Sequence, residues 1–387
     1  MTNRRPASAA LGMALSLVVA GCSVGDYYDK WFGAAPALKP AALVAIQPGV
    51  TAKVLWQGNV GGAGNFVFAP AVVSGSIFAA GATGQIGQFD AGSGKPLARI
   101  ETKTALSGGV GSDGRLILTG TARGEVVAFD LNGKQLWKTQ LTSEVLSAPV
   151  VDQAVVVVRS GDGRIYGLDA ANGTRKWVYQ RALPPLTVRS HAGVALYRDA
   201  VFVGFPGGRL VALSLANGSV GWEGTVALPK GSTELERVAD IAGLPVYDGR
   251  QVCAAAYQGR VACFDILKGT ALWVRDISSI SGAAMDARNV YVSDEKSAVV
   301  AFDKATGASL WKQDKLYGRS ISAPAVAGKY IVVGDFQGYV HVLSNDDGSF
   351  AARIATDGSA IVAQPIAVAG NILVQTRNGG VFAIGLQ

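Results

Sequence analysis

The chain has 387 residues, of which 49% are hydrophobic and 16% charged, with 50 glycines and a net charge of +7. That much glycine beside abundant valine and alanine fits short strands and tight turns and disfavours a helical bundle. The positive charge is scattered, with no basic run able to track phosphates, which argues against nucleic acid as a partner.

Arg4 and Arg5 precede an apolar stretch over about 7–20, the charged and hydrophobic regions of a secretory signal, too short to span a bilayer comfortably. The stretch ends in "VVAGC". Small Ala20 and Gly21 before Cys22 resemble a lipoprotein cleavage site, so Cys22 is the expected lipid-bearing residue; an ordinary signal peptide with an incidental cysteine is the alternative. Ser23, where an Asp tends to retain lipoproteins at the inner membrane, points to the periplasmic face of the outer membrane. Acyl chains anchor without spanning. The expected division is a signal peptide at 1–21, a lipidated cysteine and tether at 22–50, rich in Ala and Pro, and a folded domain at 51–387.

Past a lone Trp56 strand, "AKVLWQGNV" at 52–60, one pattern recurs about every forty residues. It appears as "FDAGSGKPLA" (89–98), "FDLNGKQLW" (129–137), "LDAANGTRKW" (168–177) and "LSLANGSVGW" (213–222). It returns as "FDILKGTALW" (264–273), "FDKATGASLW" (302–311) and "LSNDDGSFAA" (343–352). The Asp or Ser accepts backbone N–H bonds within a hairpin turn, and the Gly supplies a left-handed conformation. Four residues after the Gly stands Trp (137, 177, 222, 273, 311), replaced by Ala98 and Ala352 in two units. A flat side chain recurring on an outer strand packs between units. Burying on the order of 200 Å² at about 25 cal/mol per Å² contributes a gross ~5 kcal/mol, an upper figure.

Upstream of each turn the period is two. "SAPVVDQAVVVVRSGDGRIYGLD" (147–169) divides into an inner strand ending near Val151, a second at 154–159, a Gly turn and a third leading to Asp169. Val155–Val158 is apolar on both faces, as in strands sandwiched between sheets. Third-strand segments occur eight times, but the last, "GGVFAIGLQ" (379–387), has no outer strand after it, whereas the Trp56 strand has none of the others before it. Joining the two predicts an all-β, eight-bladed β-propeller of four-stranded antiparallel blades, closed by N- and C-terminal strands in one blade. Cys253 and Cys263 flank a turn on adjacent strands, so a cross-strand disulfide and two buried thiols are both open.

The unit D-x-x-T-G-x-x-L-W (Asp303, Thr306, Gly307, Leu310, Trp311) resembles the PQQ-like repeat, which two families share. Quinoprotein dehydrogenases would imply pyrroloquinoline quinone, calcium, an adjacent cysteine pair and an acidic cluster; this chain has no adjacent cysteines and is short for that family. With only His191 and His341, read as a polar loop residue and a packed strand residue, no histidine-rich metal site and no catalytic set present themselves. From lipobox to last strand, the chain resembles the BamB-type lipoproteins of the outer-membrane β-barrel assembly (Bam) machinery. That resemblance implies a non-enzymatic scaffold without cofactor. It would bind the POTRA domains of the BamA-type barrel subunit and assist unfolded outer-membrane protein clients. Two insertions, "RALPPLTVRSH" (181–191) and "LPKGSTELERVADIAGLP" (228–245), stretch the repeat interval to 45 and 51 residues and lie on one face. By the resemblance they form the docking surface, with Leu186, Val188 and Arg189 matching a Leu-x-Leu-Arg stretch and Asp240 an acidic position; Ala242 stands where a second acid is expected. An alternative has Leu186 and Val188 cover the ring's edge and Arg189 pair with Asp240.

Overall fold

The computed structural model describes residues 39–387. The expected signal peptide, Cys22 and most of the tether lie outside the described residues, which contain no helix. Thirty-two strands form eight four-stranded antiparallel sheets. Blades 1 to 7 occupy 71–101, 108–140, 150–179, 195–225, 246–276, 282–313 and 325–355. In blade 8, Ala52–Asn59 pairs with Gly380–Leu386 and completes Ile366–Val368 and Asn371–Gln375, so the expected closure is present.

Alternation decides which neighbour each residue meets. In Val155–Arg159, Val156 and Val158 pack with blade 2 around Leu118 and Trp137, whereas Val155 and Val157 pack with blade 4 around Val201 and Phe205. All four valines are buried, because a sheet between two sheets has no solvent face.

The Trp stitches blade to blade. Trp137 Nε1 donates to Ala170 O of the next blade's turn at 2.9 Å. Trp177 does the same to Leu215 O, Trp222 to Ile266 O, Trp273 to Lys304 O, Trp311 to Asn345 O and Trp56 to Ala91 O. Within the turns, Asp303 Oδ1 accepts the N–H groups of Ala305 and Thr306, while around Ser214 Asn217 Oδ1 takes that part by accepting Ser219 N–H. The two units without Trp have distinct reasons. Blade 7, with Ala352, precedes blade 8, whose closing strands come from opposite ends of the chain and form no such turn. Blade 1, with Ala98, precedes the shorter turn Asp130–Gly133, and Ile100 lies against Gly133 there.

Gly218 shows why the turn needs glycine. Its φ is +71°, and a Cβ would stand 2.5 Å from Trp177 Cε3. Gly218→Ala is therefore expected to lose roughly 2–5 kcal/mol, combining backbone strain with overpacking against a buried ring. Gly370→Ala, at φ +81° with open space around it, is expected to lose only the conformational part, roughly 1–2 kcal/mol. Denaturant unfolding of both variants checks this, and equal losses would refute the packing contribution.

Cys253 and Cys263 stand opposite each other in neighbouring strands of blade 5, fully buried, and are joined as a disulfide. The thiol alternative does not hold.

The ring's two faces differ. Turns of the Asp-Gly type share one face; the connections between blades, with the turns joining second to third strands, share the other. Part of the segment expected as tether runs down the outside of blade 7. Ala41 N–H bonds Tyr317 O at 2.9 Å on the connection face, and Gly49 N–H bonds Ala351 O at 2.8 Å near the opposite one. Between them Arg319 Nη1 donates to Ala41 O (3.1 Å) and Arg353 Nη1 to Val44 O (2.9 Å). Both arginines belong to one network. Arg319 and His341 Nε2 reach Asp335 Oδ2 at 2.7 and 2.9 Å, and Arg353 Nε donates to His341 Nδ1. Burial alone would raise the Asp335 carboxyl, but the bonds from His341, Tyr339 N–H and Arg319 outweigh it and hold the group below the ordinary carboxylate range. Burial moves His341 the other way from a free imidazole, toward the neutral form, despite the pull of Asp335. The packing role expected of His341 is thus joined to a hydrogen-bonding one, between Asp335 and Arg353.

Candidate docking site

The first insertion joins Arg175–Tyr179 of blade 3 to Ala195–Tyr197 of blade 4, and the second joins Val220–Thr225 to Val246–Tyr247 of blade 5. Both cross the connection face on consecutive blade gaps. They are also bonded to each other. Asp240 Oδ2 accepts Val188 N–H at 2.6 Å, its Oδ1 accepts Gly207 N–H at 3.1 Å, and Ser190 Oγ donates to Ala242 O at 2.9 Å.

Asp240, expected on the docking surface, is instead only 2% exposed. The reason lies in its neighbours: Ala239 and Ile241 are buried in the core between blades 4 and 5, and this fixes the backbone around the carboxylate. Its chemistry there is to tie the first insertion, at Val188 N–H, to a turn of blade 4, at Gly207 N–H, through two charge-assisted bonds. Ala242, where a second acid was expected, is also buried, and an ionised side chain there would have to leave water. The missing acid is therefore no missing surface contact.

Leu186 is 47% exposed, Val188 is half-buried and Arg189 is exposed. Pro184 and Pro185 restrict the backbone before them, which limits the ordering a partner must impose. Arg189 does not pair with Asp240; its Nε lies 3.5 Å from Glu144 Oε1, with the arginine side chain 57% exposed. An exposed pair of this kind contributes about 0–1 kcal/mol, so the guanidinium is available. His191 lies part-buried beside Arg189, its imidazole held toward the neutral form by burial.

Toward the hub the same face opens into a basin of about 700 Å³, lined among others by Leu244, Ile280, Phe336 and Val362, each at least 38% exposed. Sequence reading missed this basin because its residues are contributed by separate connections and turns far apart in the chain, from Val67 to Arg377. Among the described residues no group of three or more His, Cys, Asp and Glu is placed to hold a metal ion.

The family model described as outer membrane protein assembly factor BamB matches residues 82–313 and 295–386. A curated relative from Bordetella pertussis, named outer membrane protein assembly factor BamB, is 43% identical over 99% of each chain. Among solved structures, BamB from Moraxella catarrhalis is 28% identical with a TM-score of 0.80, over 87% of this chain and all of that one. The quinohemoprotein alcohol dehydrogenase of Comamonas testosteroni shares the fold alone: 12% identity, TM-score 0.68, over 86% of this chain and 76% of that one. A match of the family model across most of the ring, and a relative this similar from end to end, carry the conclusion that this chain belongs to the BamB family of outer membrane protein assembly factors.

Proposed function

We propose that the chain is a non-enzymatic scaffold of outer-membrane protein assembly, which docks POTRA domains of the BamA-type barrel subunit through its first insertion. Its place is the periplasmic face of the outer membrane, held by lipid on Cys22, where it assists folding and insertion of unfolded outer-membrane proteins. The observation that carries this reading is the Asp240 latch. A stiff loop locked to its neighbour presents an aliphatic side chain, Leu186, beside an available cation, Arg189, with Val188 bridging to the ring. Preformed surfaces of this kind bind with little loss of conformational entropy. The dehydrogenase alternative has only the shared fold in its favour, and fold does not imply function.

Affinity capture from solubilised membranes tests the reading. The intact chain is expected to retain a barrel protein with POTRA domains, and Leu186→Ala with Arg189→Ala to lose it, as truncating a central apolar contact and its neighbouring charge typically weakens binding by 2–4 kcal/mol, roughly 30- to 1,000-fold. Undiminished capture by the folded double variant rejects this surface.

A further inference from the structure

Beneath the first insertion lies a cleft of about 210 Å³, whose polar lining includes Glu144, Arg159, Ser160, Thr187, Arg189 and Ser190. Arg159 ends the Val155–Arg159 strand of blade 3. Its guanidinium lies over the Phe205 ring, 5.8 Å from the centroid, and Nη1 makes one long bond, 3.3 Å to Ala192 O. A guanidinium has five N–H donors. The arginines around it are paired with carboxylates, Arg164 with Asp162, Arg181 with Glu223 and Arg189 with Glu144, whereas Arg159 joins no ion pair among the described residues. Burial pulls its acidity toward a value of about 10, against the opposing influence of Asp240, whose carboxylate oxygens are already bonded to Val188 and Gly207.

The cleft's size selects its occupant. Sites for small organic ligands run to about 300–1,000 Å³, and this one is smaller, with room for the end of one side chain. Its donors select the chemistry: the nearby carboxylates are already engaged, Glu144 with Arg189 at 3.5 Å and Asp240 with the amides of Val188 and Gly207, so the Arg159 fork keeps free donors that match a carboxylate in bidentate geometry. Its place selects the source, since Thr187 and Val188, next to the exposed Leu186, form its roof.

We propose that this cleft is an acid-accepting socket, in which Arg159, with Arg189 at the rim, receives one Asp or Glu side chain of the protein that docks on Leu186 and Val188. The socket rests on the docking reading above and gives it a chemical specificity: the partner carries an acidic residue beside the apolar patch that covers Leu186.

Calorimetric titration of the intact, detergent-solubilised chain with the purified periplasmic domain of the barrel subunit tests it. Arg159→Gln is expected to weaken binding roughly 10- to 100-fold and to flatten its dependence on salt, with Arg159→Lys, which keeps the charge and loses the fork, in between. A merely structural role for Arg159 predicts a different pattern, with faster exchange of the Val188 amide and a lower unfolding temperature but an unaltered salt dependence. That pattern overturns the socket, as does Arg159→Gln binding within twofold of the parent. Titration with acetate alone separates the sources: heat that depends on Arg159, together with unchanged partner affinity, assigns the cleft to a free anion and rejects the proposal. If the parent chain does not bind the periplasmic domain, the docking reading itself fails and the socket with it.

Discussion

Asp335→Ala is expected to lower the unfolding temperature by roughly 6–10 °C. The carboxylate is fully buried and Arg319 is only 3% exposed, so its removal leaves a guanidinium in the ring's interior without its counter-charge. Breaking a buried pair from one side typically costs about 3–5 kcal/mol, and in a domain this large each kcal/mol moves the midpoint by about 2 °C. The carboxylate also accepts the N–H groups of Gln337 and Tyr339, so the turn between the second and third strands of blade 7 loosens with it. Differential scanning calorimetry reads the shift, and limited proteolysis reads the accompanying release of residues 41–50, whose carbonyls Arg319 and Arg353 hold. A fall below about 2 °C contradicts the account. Replacing Arg319, Asp335 and His341 together by apolar residues of similar volume is expected to recover much of the loss, because desolvating the charges offsets most of what their attraction contributes.

Asp240→Ala is expected to abolish partner capture as fully as the double change at Leu186 and Arg189, although Asp240 presents almost no surface. Without the carboxylate, the amides of Val188 and Gly207 lose their acceptor, and hydrogen bonds to a charged group are each worth about 1.5–3 kcal/mol. The loop has little else to hold it: Leu186 and Thr187 are exposed, and Ser190 to Ala242 is the remaining bond between the insertions. Hydrogen exchange at Val188 is expected to accelerate by two orders of magnitude or more, consistent with opening made easier by about 3 kcal/mol. The ring loses only the Gly207 bond at one turn of blade 4 and keeps its cooperative unfolding. Retained exchange protection together with retained capture would show that the latch does not shape the surface.

The repeat made the ring legible because its spacing is imposed by physics that recurs in most blades: a turn that needs Gly, and a Trp that needs the next turn's carbonyl. Even the closure could be counted, since an outer strand at one end answers a missing one at the other. Asp240 could be placed between the two insertions but not inside or outside, as an acid in "VADIA" reads alike whether it meets a partner or a backbone amide; only the burial of Ala239 and Ile241 on either side decides. The network around Asp335 did leave a trace. In the third strand, the position just before the residue opposite the Trp site is Gly87, Val127, Tyr166, Val211, Ala262, Val300 or Phe382 in other blades and His341 in blade 7. An imidazole at a position that is aliphatic, aromatic or Gly elsewhere signals buried partners, but the repeat does not say that they are Arg319, Asp335 and Arg353.

The strap of residues 41–50 enters from the connection face along blade 7, whereas the two insertions fill the gaps around blades 3 to 5, across the hub. A pull on the N-terminal side of the chain is therefore taken up by Arg319 and Arg353 and passed into blades 7 and 8, through the seven paired positions of Ala52–Asn59 with Gly380–Leu386. That load path does not cross the latch at Asp240, so tension can tilt the wheel without prising open the grip on its far rim.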